Sequence, residues 1–401
     1  MPDQPEAVIL AARRTPIGKY LGAFAELSAD ELGRQLAVDL MRTAHVRPDQ
    51  VDQVIVGCAL QAGLGMNVAR QVAVRAGIPV ERPSFTVNQV CGSGLLAVQQ
   101  AAQQVWLEQS RVVLAGGVER MSGAPFLTPR DLEGAPDLAA SPVDSMQGDG
   151  LMDCFEHIHM GCTTERIVSK LGISRAEQDG YALESQRRYQ AARHRLAEEI
   201  TPISLARDGG SVEISRDEHP RETSLAALAA LRPVFQDGGT VTAGNASGIN
   251  DGAALAVVAS RRWADDQGLR YDHTLRGFNT VGIEPGLMGL GPVEAIRGLL
   301  EPHGLRDADI DLYEINEAFA GQVLGVLRQL DLDASRVNVN GGAIALGHPI
   351  GASGCRILVT LTHEMRRRNA RRGVAALCVG GGMGIAALVE SADLEAGKGR
   401  I

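Results

Sequence analysis

One pattern occurs twice in this chain, the copies about 260 residues apart: a short β-branched run, a glycine-rich turn, an amphipathic stretch and a second β-branched run ending in glycine. In the first copy the runs are Val54-Ile55-Val56-Gly57 and Val112-Val113-Leu114-Ala115-Gly116-Gly117. Between them, Leu95, Val98, Ala102 and Val105 fall at helical spacing just after Cys91-Gly92-Ser93-Gly94. In the second copy, Asp311-Leu312-Tyr313-Glu314-Ile315 takes the place of the first run. Arg336-Val337-Asn338-Val339-Asn340 then leads through a glycine-rich turn into a helix carrying Ile357, Leu358, Leu361 and Met365, mirroring 84–105, and 374–382 closes on Gly380-Gly381-Gly382. Short strands alternating with longer helices specify an α/β fold, here two similar βαβαβ-type halves with mainly parallel central sheets covered by helices. Such halves bring their strand ends to one side of the molecule, where ligands of open α/β sheets bind, so both glycine turns are expected to form one site.

With 401 residues, 45% of them hydrophobic, the chain can bury such a core. Aromatic residues are only 3% and the formal charge is −9, which argues against base-stacking platforms and against a general nucleic-acid or membrane-surface role. No apolar run approaches the ~20 residues of a bilayer span, and the start of the chain lacks a signal-peptide pattern, so a cytoplasmic protein is expected. Six scattered cysteines without CxxC pairing suggest neither a disulfide framework nor a zinc site. A cysteine with a special role here would be reactive rather than structural.

Between the copies, 119–243 breaks the pattern with loops rich in Pro, Gly and Asp and reads as an insertion. It holds one clear helix. Ser174-Arg175-Ala176-Glu177 is a capping box, followed by Tyr181, Ser185, Tyr189 and Ala192 on one face, with Arg187, Arg188, Arg193 and Arg195 left for solvent or an anion. The tail, 394–401, is expected to be mobile.

Cys91 lies between an expected strand and a helix start, where the partial positive charge and free N–H groups of the helix end favour thiolate. From that motif alone it reads equally as a buried cysteine at a tight turn. The second glycine turn places His348 between Gly347 and Pro349, a candidate base for the cysteine. Cys378, followed by Val379-Gly380-Gly381-Gly382, adds a second thiol at a strand end beside backbone N–H groups suited to an oxyanion.

Together with Asn316 in Asn316-Glu317-Ala318-Phe319-Ala320, these motifs resemble the thiolase family, on the side of its acetoacetyl-CoA members, over about residues 5–393. The loop Gly244-Asn245-Ala246-Ser247-Gly248-Ile249-Asn250-Asp251-Gly252 carries the same resemblance. It implies a thiolase fold with 1–118 and 244–272 as the N-terminal half, 119–243 as an inserted loop domain for coenzyme A and oligomer contacts, and 273–393 as the C-terminal half. The implied reaction joins two acetyl-CoA into acetoacetyl-CoA and CoA, reversibly, with no metal or redox cofactor, in a homotetramer built as a dimer of dimers.

By the same resemblance Cys91 is the nucleophile that becomes acylated, His348 takes its proton, and Cys378 is the second acid and base. The N–H groups of Cys91 and Gly380 hold the acyl-transfer oxyanion, while His348 and a water on Asn316 hold the enolate. Ser247 matches the pantetheine contact, and Ala243, Met288, Ala318 and Phe319 match the thioester tunnel, although Met288 and Phe319 also read as core packing. Arg221 matches a residue near the nucleotide once a one-residue gap is allowed; Ala227 stands where members often have serine. His159 and Met160 of His159-Met160-Gly161 match the acetoacetyl-type members and narrow the acyl end, whereas His157 is expected on the surface. His159 read alone is also a satisfied structural histidine. The alternative within the family is a broader 3-ketoacyl-CoA thiolase, and outside catalysis a non-catalytic acyl-CoA-binding protein.

Overall fold

The computed structural model describes residues 5–131, 133–207 and 210–392. The tail at 394–401 lies outside the described residues. Nine strands form the body of one mixed sheet: β1 (Ala7–Arg14), β2 (Gln53–Gly57), β3 (Ser84–Val87), β4 (Val112–Arg120), β5 (Asn250–Ser260), β6 (His273–Gly282), β7 (Leu312–Ile315), β8 (Arg372–Val379) and β9 (Met383–Ser391). Their order is β7-β8-β9-β6-β1-β5-β4-β2-β3, with the short strand Gly18–Lys19 added beside β5.

The repeat is visible in this order. Outward from the β1–β6 junction, β5-β4-β2 and β9-β8-β7 follow one another in the same sense, and each half ends in parallel pairing, β4–β2–β3 on one side and β8–β7 on the other. The expectation of a mainly parallel sheet is corrected: the β1–β5, β5–β4, β1–β6, β6–β9 and β8–β9 ladders are all antiparallel. Chain order reveals that strands and helices alternate, but ladder direction depends on which distant strands meet, here β5 returning beside β1 after the insertion. The counterpart of β3 is also weaker than expected. Where 336–340 was to form a strand, a parallel bridge joins Val337 to Tyr313.

The main helices are α1 (Ala29–Thr43), α2 (Ser93–Trp106), α3 (Met160–Leu171), α4 (Arg175–Leu196), α5 (Gly291–Leu300), α6 (Ala320–Leu330) and α7 (Ile350–Arg368). α2 and α7 share one apolar core with the inner faces of both halves, Leu95, Val98 and Val105 meeting Ile357, Leu358 and Leu361. α1 covers the outer face of the N-terminal half, through Leu32, Leu36 and Leu40. α5 and α6 cover the outer face of the C-terminal half, through Ile296, Leu299 and Val326. The result is five layers, helix, sheet, paired central helices, sheet, helix, with apolar residues on both faces of each half-sheet.

The two central helices approach closely because glycines face each other at the crossing. A Cβ on Gly94 would come 2.9 Å from the Gly351 carbonyl oxygen, and one on Gly354 would come 2.5 Å from the Leu95 nitrogen. Their N-termini, which follow Cys91 and His348, therefore lie side by side. The insertion contributes α3 and α4. Ser174 and Glu177 form the expected capping box of α4. Arg188, expected to face solvent or an anion, instead donates to the carbonyls of Val337, Asn338 and Ala334, and Arg195 donates to Asn340 Oδ1. Those arginines brace the insertion against the second glycine turn, a use that only the tertiary fold reveals.

Candidate active site

Cys91 lies in a short helical turn, Val90–Gly92, that runs directly into α2 at Ser93, two residues further on. Val90 has φ 47°, an uncommon left-handed conformation for a β-branched residue. Ser93 holds the turn closed, its Oγ accepting from the Gln89 N–H at 2.9 Å and donating to the Val90 carbonyl at 2.7 Å. This strained turn presents the Cys91 side chain to a cavity of about 360 Å³.

Two N–H groups, those of Gly380 and of Cys91 itself, point at the Cys91 sulfur and lower its pKa, but burial outweighs them and pushes the thiol up to about 12. The expected pull of the N–H groups towards thiolate is present, and burial opposes it. A helix end exerts a local pull that sequence reveals, whereas desolvation depends on everything packed around the turn. Burial, reinforced by Cys91, likewise raises Cys378, at the end of β8 on the same cavity wall.

His348 arrives from the other half. Gly347, at φ 105°, turns the chain, and Asn250 Oδ1 accepts the His348 N–H at 2.9 Å. The imidazole Nδ1 is 2.5 Å from Ser353 Oγ, whose hydroxyl donates to the Pro349 carbonyl at 2.8 Å. With that proton committed, Ser353 accepts at His348, so Nδ1 carries the hydrogen and Nε2 presents a lone pair. Burial, then the Arg356 charge, pushes His348 down to about 3, so the ring is neutral at pH 7. Asn316 Nδ2 lies 3.5 Å from His348 Nε2. Asn316 is fully buried beside the histidine.

The remaining candidates, His159, Met160, Arg221, Ala243, Ser247, Met288, Ala318 and Phe319, line the same cavity as Cys91, His348, Cys378 and Gly380. Two loops make one wall: the Ser247 N–H donates to the Ala318 carbonyl at 3.0 Å, and Ala246 bridges to Phe319. Arg221 is exposed at the rim, where its guanidinium donates to the Ala243 carbonyl at 2.9 Å. His159 caps α3, its Nδ1 accepting the Gly161 N–H at 3.0 Å, while its ring stacks on Phe235 with centroids 4.4 Å apart. Its structural and cavity-lining positions thus coexist, and the neutral ring has its hydrogen on Nε2. Met288 and Phe319 likewise belong both to the wall and to a packed apolar cluster. His157 is exposed in the preceding loop.

The family model described as the N-terminal domain of thiolase matches residues 7–262, and its C-terminal counterpart matches 269–391. This chain belongs to the thiolase family. Among curated relatives of this thiolase, an acetyl-CoA acetyltransferase from Chromobacterium violaceum is 48% identical over 389 residues, covering 96% of this chain and 99% of that one. The crystal structure of the Bacillus anthracis acetyl-CoA acetyltransferase superposes with a TM-score of 0.94 at 41% identity, covering 97% of this chain and 99% of that one. A human mitochondrial 3-ketoacyl-CoA thiolase in complex with CoA superposes with a TM-score of 0.92, also at 41% identity, covering 97% and 98%. The thiolase is an acyltransferase with the thiolase fold.

Several groups that shape its site escaped the sequence reading. Glu119, read there as the edge of the insertion, accepts from the N–H groups of Ala59, Leu60 and Gly351 and so ties β4 to the start of α7. Glu317 accepts from Tyr181, Ser185, Asn338 and the Ile344 N–H, fixing the second glycine turn to α4. An acid at the end of an apolar run was the available signal at Glu119. For Phe235, whose stacking on His159 is set by tertiary contact, the sequence held none; Ser353 lies within five residues of His348, and only the helix start that brings their side chains together was missing from the reading.

Proposed function

We propose that this thiolase is an acetyl-CoA C-acetyltransferase, condensing two acetyl-CoA to acetoacetyl-CoA and CoA and catalysing the reverse cleavage. The observation that carries the reading is that two thiols and an imidazole, those of Cys91, Cys378 and His348, converge on one cavity with the backbone N–H groups of Cys91 and Gly380 beside them. In the first half-reaction His348 Nε2 takes the Cys91 proton as the sulfur attacks the thioester carbonyl, and the N–H groups of Cys91 and Gly380 receive the oxyanion. The carbon–sulfur bond to CoA breaks, and the departing thiolate takes the Cys378 proton to leave as CoA. Acetyl-Cys91, a Cys378 thiolate and a protonated His348 remain.

In the second half-reaction the Cys378 thiolate removes a methyl proton from the incoming acetyl-CoA. The enolate oxygen faces His348 Nε2–H and a water on Asn316, and the enolate carbon attacks acetyl-Cys91. Cys91 leaves as thiolate and recovers its proton from His348, which closes the proton balance with no metal ion and no redox cofactor.

Arg221 at the rim suits the phosphates of CoA, and Ala243 and Ser247 suit its pantetheine arm. His159, Met160, Phe235, Met288 and Phe319 crowd the wall around Cys378, which supports a short acyl chain. We further infer a cytoplasmic homotetramer, a dimer of dimers. Supporting it are the half-buried edge strand β3, whose outer side has no neighbour among the described residues, and exposed Phe126, Leu127 and Leu138 on the insertion. Among the described residues no helix is long and apolar enough to cross a membrane, and the acidic balance gives nucleic acid no general footing.

Steady-state cleavage of C4, C6 and C8 3-ketoacyl-CoAs tests the reading. Each methylene an apolar pocket accepts contributes roughly 0.8 kcal/mol, so a long-chain enzyme improves towards C8. Here C4 is expected to give the highest kcat/KM, and a preference for C8 would establish the broader 3-ketoacyl-CoA thiolase instead.

A further inference from the structure

Behind the cavity stands an ionised side chain that the mechanism above does not use. Arg356, on α7, is 1% exposed, and its Nη2 lies 3.4 Å from Asn316 Oδ1. Its Nη1 lies 3.7 Å from Glu314 Oε2, a carboxylate on β7 that is itself 2% exposed. Among the described residues Arg356 Nε and Nη1 have no hydrogen-bond acceptor. A guanidinium with idle donors is a poor choice for a core position, because desolvating the charge costs more than a loose ion pair returns, and an apolar residue of similar volume fills such a place more favourably.

What arginine does that an apolar residue does not is donate without accepting. The Asn316 side chain has a partner at each end: Arg356 on one side and the His348 Nε2 lone pair on the other. Its amide oxygen and nitrogen are nearly equal in shape, so packing alone hardly distinguishes the two orientations. Facing Arg356, only the oxygen is tolerated, which turns the N–H₂ end towards His348 and the cavity. In the resting enzyme the reverse orientation would set two lone pairs against each other at Nε2, and in the second half-reaction it would take away the donor that holds the enolate water.

We propose that Arg356 is a positioning residue for carbon–carbon bond formation, fixing the Asn316 amide with its N–H₂ end towards His348. The inference rests on the reading of Asn316 as part of the enolate site. It predicts a split between half-reactions, because acetylation of Cys91 uses the N–H groups of Cys91 and Gly380 and does not call on Asn316. Glu314 anchors the guanidinium; Glu199, Glu317 and Arg14 are the other charges felt at Arg356, and Arg356 is the charge felt at His348.

The test compares the full-length enzyme with Arg356→Met, Arg356→Lys, Arg356→Gln and Asn316→Ala, measuring CoA release on acetylation and deuterium exchange into the acetyl-CoA methyl group. Arg356→Met is expected to lower methyl exchange about tenfold or more while acetylation stays within about threefold. Asn316→Ala should show the same split, and Arg356→Lys, still a pure donor, should retain a higher exchange-to-acetylation ratio than Arg356→Gln, which presents either end. If the methionine variant does not fold, the lysine-to-glutamine comparison decides. Equal loss of both half-reactions, or equal ratios for lysine and glutamine, would make Arg356 structural only. Exchange lost in Asn316→Ala but kept in Arg356→Met overturns this inference alone; exchange kept in Asn316→Ala overturns the Asn316 reading and the inference with it.

Discussion

At Cys91 the donor groups of a tight turn oppose the cost of burial, and burial prevails, so in the proposed mechanism the sulfur starts as a thiol and gives up its proton as substrate is attacked. His348, held neutral by the same burial, is the matching acceptor. His159 is the residue whose replacement most directly separates binding from support. The residue lines the cavity while its Nδ1 caps α3, and a lost hydrogen bond to a buried group costs about 1–3 kcal/mol. His159→Ala is therefore expected to lose about tenfold or more in kcat/KM on the C4 substrate and proportionately less on C6, where the removed bulk offsets the missing donor. Equal loss on both lengths would show that His159 acts through the loop rather than on the acyl chain. Cys91, His348 and Cys378 were legible in the sequence because each sits in or beside a glycine-rich segment and the three motifs occur together; either cysteine alone read equally as core. Glu119 and Arg356 were not, since their partners lie on other elements and an isolated acid or arginine carries no pattern.

At the scale of elements, the crossing of α2 and α7 places the two halves of the chemistry, and its tolerance is small. Alanine in place of Gly354 gains about 1 kcal/mol of helix propensity. That gain is opposed by a Cβ 2.5 Å from the Leu95 backbone nitrogen, and overpacking against backbone costs about 1–3 kcal/mol. Gly354→Ala is expected to be net destabilised in chemical denaturation and to lose turnover, since Cys91 and His348 both follow the crossing; an unchanged midpoint with full activity would mean that the helices separate freely.

Strand β6 carries a second consequence. Burial pushes His273 from its ordinary 6.5 down to about 4. The unfolded state thus binds more protons than the folded state between those values, and stability falls as pH drops through that window. From pH 7 to pH 5 this site removes about 2 kcal/mol. His273→Leu should flatten the decline in unfolding free energy, and an unchanged slope would place the acid sensitivity elsewhere, at His219 or His348, which are depressed in the same way. Element type was largely readable from periodicity, as α2, α4 and α7 show, but ladder direction was not. The β5 strand lies antiparallel to both β1 and β4 because the insertion returns the chain from the far side, and local patterning contains no record of that.

For the molecule as a whole, duplication supplies the argument that links fold to activity. Each half delivers a glycine-rich turn at the start of a central helix, one bearing the Cys91 thiol and the other the His348 imidazole, and the end of β8 adds a second thiol to the shared cavity. The central claim is that the two thiols divide the work, Cys91 carrying the acetyl group and Cys378 moving the methyl proton. Cys378→Ser in acetyl-CoA and heavy water tests it most directly, with peptide mass analysis for the site of acetylation and mass or NMR detection of methyl deuterium. The account predicts a single acetyl group on Cys91 and methyl exchange reduced about a hundredfold or more, because a serine hydroxyl is a far weaker base at neutral pH. Acetylation of a residue other than Cys91, or methyl exchange at the wild-type rate, would contradict it.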